Sequence, residues 1–304
     1  MKQLLILSGK GGTGKTTLAG AFIKLAGAKA YADCDVDAPN LHLIMNQSAQ
    51  VKRSDYYGMP KAAINPNTCI HCGVCRQHCR FDAICASPDY IVDEYACEGC
   101  GVCEALCPVG AVSFKPAVSG ELTLYSGETV FSTAQLKMGS GNSGKLVTEV
   151  KKQLKTADVN ADLAIIDGSP GIGCPVIASL SGVDLVLIVA EPSVSGISDM
   201  ERIIKTAKQF QTKVIVCINK YDANLENTEQ IENFCQKQDI ACVGRIPFDP
   251  LAVQAINNGL SIVELDCEAG RAAKDVYDRT FKVLFTEDAH QLTRNFKLSF
   301  DGLS

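Results

Sequence analysis

The sequence predicts an α/β fold built on a mostly parallel sheet and interrupted by a small inserted α+β domain. Three observations predict it. Short apolar runs alternate with helical stretches in both halves of the chain, and the first run opens into a glycine-rich loop followed by a helix. Between residues 64 and 115 that rhythm stops and cysteines take over. With 304 residues, 46% of them hydrophobic and 21% charged, the chain can bury a sizeable core and is unlike a disordered one.

In order, QLLILS (3–8) leads into glycines, and TTLAGAFIKLAG (16–27) has helical composition with an apolar stripe, giving strand, loop, helix. AYADCD (30–35), DLAIIDG (162–168), DLVLIVAE (184–191) and KVIVCINK (213–220) are further strands, each ending in polar or glycine residues. In a parallel sheet the carboxyl ends of the strands line one crevice. Asp33, Asp35, Asp167, Glu191 and Asn219 are therefore expected to converge on the glycine loop. The longest apolar run, VDLVLIVA (183–190), is far short of a membrane span. Residues 1–7 lack the architecture of a signal peptide, so a cytoplasmic protein is expected, in which 15 cysteines suggest metal ligands rather than disulfides. A net charge of -5 and a pI near 5.5 offer no general attraction to nucleic acid or anionic lipid.

Gly9, Lys10, Gly11, Gly12, Thr13, Gly14, Lys15 and Thr16 satisfy the phosphate-loop pattern GxxxxGK[ST] between a strand and a helix. Glycines there let backbone N–H groups close around phosphate at a helix N-terminus. Lys15 is expected to reach the β and γ phosphates and the Thr16 hydroxyl to ligate Mg²⁺. Asp167, followed by GSPG, suits the carboxylate that orients Mg²⁺ through water. A second match, GSGNSGKL (139–146), has Leu146 where the metal-binding hydroxyl belongs; with Ser143 ahead of a helical stretch, it is expected to cap a helix, with a second nucleotide site, or contact with a partner or with phosphate from the side, as the alternatives.

GKGGTGKTT with Lys10 inside it, DCDVDAPNL (33–41), IIDGSPGIG (165–173) and RIPFDPLAVQAINNG (245–259) together resemble the MinD/Mrp branch of the deviant Walker P-loop ATPases. The resemblance covers residues 1–63 and 116–304. It implies an ATP-hydrolysing homodimer in which Lys10 crosses to the partner's phosphates, where charge develops during phosphoryl transfer. It further implies that Asp35 positions the attacking water, that Gly171 senses the γ-phosphate, that Asp33 supports the metal with Thr16 and Asp167, and that Thr17, Asn219 and Pro247 touch the nucleotide. NKYD (219–222) also fits the NKxD pattern that reads guanine, with Asn219 and Asp222 aimed at the ring; the Lys10 motif favours ATP over GTP.

CIHCGVCRQHC (69–79) and CEGCGVCEALCP (97–108) form an internal repeat that resembles the bacterial two-cluster ferredoxin over about fifty residues. The resemblance implies one 4Fe-4S cluster on Cys69, Cys72, Cys75 and Cys107 and a second on Cys79, Cys97, Cys100 and Cys103. Arg80 stands where a proline usually follows the fourth cysteine, which touches the first cluster's surroundings and not its ligation. Zinc is the alternative for paired CxxC motifs. Of the other cysteines, Cys34, Cys85, Cys217, Cys235, Cys242 and Cys267 read mostly as small buried hydrophobes. Cys174 follows the Asp167 motif at an offset similar to a switch cysteine of the nitrogenase iron protein; a structural role and an intersubunit metal or redox site both stay open.

The insert leaves the core after the first-switch segment and returns before Asp167, so movement of either switch on hydrolysis is expected to reach the cysteines. The expected function is an ATP-hydrolysing iron-sulfur protein that couples nucleotide state to electron transfer toward, or metallocluster maturation of, a partner metalloenzyme. A Mrp-like cluster scaffold or carrier is the alternative. A MinD/ParA-like positioning ATPase ranks last, because the tail 286–304 sets Arg294 and Lys297 against Glu287, Asp288 and Asp301 and makes a poor membrane anchor.

Overall fold

A computed structural model describes residues 1–45, 50–86, 88–157 and 159–286; apart from Thr286, the charged tail weighed above as a membrane anchor lies outside the described residues. The elements are β1 (Lys2–Leu7), α1 (Lys15–Ala26), β2 (Ala30–Asp33), β3 (Gln50–Tyr57), β4 (Lys61–Ile64), α2 (Val74–Gln77), β5 (Ile84–Ala86), β6 (Tyr90–Val92), α3 (Val102–Ala105), β7 (Val112–Lys115) and β8 (Val118–Ser126). There follow β9 (Val130–Leu136), α4 (Ser143–Thr156), β10 (Leu163–Asp167), α5 (Cys174–Leu180), β11 (Leu185–Ala190), α6 (Val194–Gln209), β12 (Lys213–Asn219), α7 (Leu225–Lys237), β13 (Ala241–Ile246), α8 (Pro250–Asn257) and α9 (Glu268–Phe285).

The main sheet runs β13-β12-β11-β1-β10-β2-β9-β8-β3. It is parallel from β13 to β9, and β8 and β3 complete it in antiparallel pairing. Alternation along β1 sends Leu5 and Leu7 to one face, with Leu146 of α4 and Ile203 of α6, and Leu4 and Ile6 to the other, with Phe22 of α1 and Val276 of α9. Helices thus cover both faces, which is why the central strands read as continuous apolar runs. Among the described residues no helix is long and apolar enough to cross a membrane.

The cysteine-rich residues emerge between β3 and β8, two strands that pair with each other up to Tyr57 and Val118. They therefore occupy the connection of an antiparallel pair at the sheet's edge, where added residues disturb no ladder. A separate ladder of β4 and β7 closes their base, pairing Lys61 with Lys115 and Ile64 with Val112. The internal repeat is visible in the backbone: α2 and α3 start from Gly73 and Gly101, both left-handed at φ 79 and φ 84, and His71 and Gly99 share the preceding left-handed position. Ala62, Ala83, Ile84, Cys97, Ala111 and Val112 are the buried apolar residues described in this segment. So small a core rarely holds some fifty residues without a metal or another cross-link.

Candidate functional site

The glycine loop joins the buried end of β1 to α1, and neighbouring strands hold it from behind. Asn219, at the end of β12, donates from Nδ2 to the Thr13 carbonyl at 2.6 Å, and Lys220 Nζ donates to the Gly12 carbonyl at 2.9 Å. Gly14 has φ 90, and a Cβ there would stand 2.3 Å from Asn219 Nδ2, so conformation and crowding both require glycine. The loop forms one wall of a cavity of about 720 Å³ that Lys10, Thr13, Lys15, Thr16, Thr17, Asp35, Asn219 and Pro247 also line. Gly11, Gly12 and Gly14 are on that wall, whereas Gly9 and Gly171 are outside the lining.

Lys15 and Asp167 are both buried, with Lys15 Nζ 2.5 Å from Asp167 Oδ1; the Thr16 hydroxyl donates to Asp167 Oδ2 at 2.7 Å. Burial opposes the Lys15 charge, but Asp167 outweighs it and holds the lysine above its ordinary pKa. The three residues expected at phosphate and Mg²⁺ are thus together, satisfying one another. Asp33, expected beside the metal, has other partners. Its Oδ1 accepts from the Asp35 N–H at 3.0 Å, and its Oδ2 from the Asn40 and Leu41 N–H groups, each at 2.9 Å. It shapes the 35–41 loop, and burial followed by the nearby Asp167 pushes its carboxyl up despite those bonds. Burial also raises Asp35, to about 6, against the pull of Lys15.

Two further residues stand differently from the expectation. Gly171 donates its N–H to the Ser8 carbonyl at 2.9 Å, so its amide is already engaged. Lys10 lies on its own chain, with Nζ 2.8 Å from Glu191 Oε2 and donating to Ser193 Oγ at 3.1 Å. Partial burial raises the Glu191 carboxyl, yet Lys10 and Lys220 bring it below its ordinary range. Ser193 was not foreseen; its place as N-cap of α6 was the available signal. Asp222 accepts the Phe248 N–H at 2.7 Å and is not among the cavity-lining residues, so it anchors the loop beside Pro247.

The second glycine motif precedes α4 and stays outside the nucleotide cavity. Its cap is Asn142, left-handed at φ 71, and Ser143 is the first helical residue without a side-chain capping bond. Cys34, Cys217, Cys235 and Cys267 are buried as expected of small hydrophobes, Cys242 is half-buried, and Cys85 and Cys174 are exposed.

In the cysteine segment, one small cavity is lined by Cys69, Cys72, Cys75 and Cys107, and another by Cys79, Cys97, Cys100 and Cys103. Each gathers three cysteines of one run and the last of the other. Burial, and then neighbouring Cys69 and Cys72, raise the Cys75 thiol; burial, Cys97 and Cys100 do the same to Cys103. The Cys107 sulfur accepts the Ala111 N–H at 3.2 Å and that of Cys97 the Ala62 N–H at 3.5 Å. Slight desolvation works against it, but amides from Val109 to Val112 bring the Cys107 pKa down, which favours a thiolate. Among the described residues no three His, Cys, Asp or Glu side chains gather closely enough to hold a single metal ion.

A doubly covered parallel sheet with a phosphate loop at the end of a central strand defines a P-loop nucleotide-binding protein. The chain belongs to the CobQ/CobB/MinD/ParA nucleotide binding domain family, whose model matches residues 4–262. An uncharacterized protein of Methanocaldococcus jannaschii (MJ0578) is 32% identical over 91% of this chain and 95% of its own length. The septum site-determining protein MinD of Helicobacter pylori is 23% identical over 46% of this chain and 54% of its own. In fold, the chain is similar to the cell division ATPase MinD of Pyrococcus furiosus, with TM-score 0.56 and 18% identity over 93% of this chain and 99% of that one. MinD of Pyrococcus horikoshii, complexed with Mg-ADP, gives 0.55 and 17% over 95% and 99%.

Proposed function

We propose that this chain is an ATP-hydrolysing switch whose inserted domain, residues 64–115, carries two 4Fe-4S clusters and couples nucleotide state to electron transfer toward, or metallocluster maturation of, a partner metalloenzyme. The observation that carries the reading is the sorting of eight cysteines into two cavities of four, each mixing both runs. The donors suit the group: they are all thiols, each set lines one cavity, and backbone amides donate to the sulfurs of Cys97 and Cys107. Zinc, which draws four ligands to within about 2.3 Å of itself, is the competing occupant of these thiols. When bound, the clusters supply one-electron redox chemistry.

The remaining work falls to the chain's own groups. With nucleotide bound, loop amides would enclose the phosphates, Lys15 would pair with phosphate oxygens, and Thr16 and Asp167 would hold Mg²⁺, which neutralises phosphate charge. Asp35 lines the cavity with a carboxyl that burial raises to about 6, which supports a role in orienting or deprotonating water. In this reading Lys10 would leave Glu191 for the phosphates of a second copy, the active form being a homodimer, and the compartment proposed for it is the cytoplasm. Engagement of Asp222 by Phe248 removes a guanine reader and supports ATP.

The test is anaerobic purification with iron and sulfide analysis, followed by redox titration read by electron paramagnetic resonance with ADP and then a non-hydrolysable ATP analogue. About eight iron atoms and eight sulfides per chain, with midpoints that move between nucleotides, are expected. Full occupancy with identical midpoints favours the Mrp-like carrier, and an iron-free protein ends both readings. Likeness in fold to two MinD structures favours a second reading, spatial positioning. ATP-dependent sedimentation with liposomes or DNA would establish it.

A further inference from the structure

The loop that precedes α4 runs close to both the nucleotide switch and one of the two cysteine pockets, near enough that a Cβ added to its glycines would meet each. At its helical end, a Cβ on Gly144 would stand 3.0 Å from the Cys174 carbonyl oxygen and 3.2 Å from its carbonyl carbon. Cys174 begins α5 directly after the second-switch residues Asp167 to Gly173. At the loop's other end, a Cβ on Gly141 would lie 3.5 Å from Glu98 Oε2 and one on Gly139 3.8 Å from the Tyr95 ring. Glu98 belongs to the wall of the Cys79, Cys97, Cys100 and Cys103 pocket. The other pocket is walled by residues between Ile64 and Val112 and includes neither Tyr95 nor Glu98.

α4 and α5 are also joined farther along. Lys151 of α4, buried, donates from Nζ to the Ser179 and Ser181 carbonyls at 2.6 Å each, where α5 ends. With Gly144 flush against one end of α5 and Lys151 holding the other, a shift of α5 carries α4 and its leading loop with it. Helix shifts of this kind are among the established forms of switching transition.

From this geometry we propose that residues 137–144 relay the nucleotide state to one cysteine pocket only, that of Cys79, Cys97, Cys100 and Cys103, and leave the other unaffected. The relay rests on the nucleotide-switch reading above, but it concerns movement of the chain and is readable whether or not iron is present.

The test is hydrogen–deuterium exchange on the full chain, purified anaerobically, with Mg-ADP and then Mg with a non-hydrolysable ATP analogue. The peptide covering 95–103 should change its exchange rate between nucleotides by on the order of fivefold, the lower end of ordinary site-to-site couplings, while the peptide covering 66–75 stays constant. In a Tyr95→Ala, Glu98→Ala double variant, both exposed positions, the difference at 95–103 should vanish while that at 168–178 persists. Equal responses in both cysteine segments, no response at 95–103, or an undiminished one in the double variant would overturn the relay. Iron analysis of the same sample keeps the two readings apart: an iron-free chain that still responds at 95–103 ends the cluster reading and retains the relay.

Discussion

Lys10 Nζ stands 2.8 Å from Glu191 Oε2, so the lysine assigned to a partner's phosphates is paired within its own chain. The pair is partly exposed, and such pairs are worth about 1 kcal/mol or less. It is therefore weak enough to yield to phosphate and strong enough to bias the resting state. Glu191→Gln should free Lys10 and lower the concentration needed for nucleotide-dependent dimerisation by about two- to fivefold, measured by analytical ultracentrifugation with a non-hydrolysable ATP analogue. Lys10→Ala should leave nucleotide binding in place and cut hydrolysis on the order of a hundredfold or more. A Glu191→Gln protein that dimerises as the wild type does would show that the pair restrains nothing.

The buried contact between Lys15 and Asp167 behaves differently, because neither group has water to fall back on. Asp167→Asn leaves a buried lysine without its counter-charge, at a cost of about 3 kcal/mol. In the nucleotide-free protein, Tm should fall by roughly 10 °C. Mg²⁺ should no longer strengthen nucleotide binding in this variant, which titration calorimetry with and without the metal would read. An unchanged Tm would mean that Lys15 finds another partner in Asp33 or Asp35.

Lys151 provides a pH dependence of definite sign. Burial lowers its pKa from 10.5 to about 8, which outweighs the small influence of its neighbours. Below pH 8 the folded and unfolded chains both hold the proton, and the fold bears the cost of a buried charge. Between about pH 8 and 10.5 the folded chain gives up the proton while the unfolded chain keeps it, so stability rises across that window. The gain is at most about 3 kcal/mol. Urea unfolding at pH 7.5 and pH 9.5 should show it in the wild type and lose most of it in Lys151→Gln. A wild type and variant with parallel pH profiles would refute the assignment.

The parts of the fold that were legible in sequence are those whose burial is uniform. β1, β2, β10, β11 and β12 are apolar runs stopped by polar residues, and the sheet places them as neighbours in its parallel part. β3 was not legible: it is an edge strand exposed at every residue but Tyr56, carrying Lys52, Arg53 and Asp55, and so lacks the alternation that burial on one face imposes. Its partner β8 went with it, and with both the reason the insert sits where it does. At the site, the phosphate loop was readable because glycine spacing encodes backbone geometry. The partners of Asp33, Gly171 and Lys10 were not, since they depend on how loops from different strands close against one another. DCD at 33–35 did carry a local signal, as aspartate commonly accepts from the amide two residues on.

The cysteine pockets make the sharpest prediction, because their composition crosses the repeat. Cys107 follows Cys97, Cys100 and Cys103 in sequence but lines the cavity of Cys69, Cys72 and Cys75; Cys79 makes the reciprocal exchange. Pairing by sequence and pairing by cavity then differ in their double variants. If the segment carries the two proposed clusters and the cavities define their ligand sets, Cys75→Ala with Cys107→Ala should strike one cluster twice and retain about four of about eight iron atoms, whereas Cys75→Ala with Cys79→Ala should strike both and retain almost none. Ligation within each run inverts the two results. Iron and sulfide counts on the anaerobic proteins decide between them. Because small apolar cores rarely hold without a cross-link, a variant that loses both proposed clusters should also lose its protection from proteolysis between residues 64 and 115, while the nucleotide core stays intact.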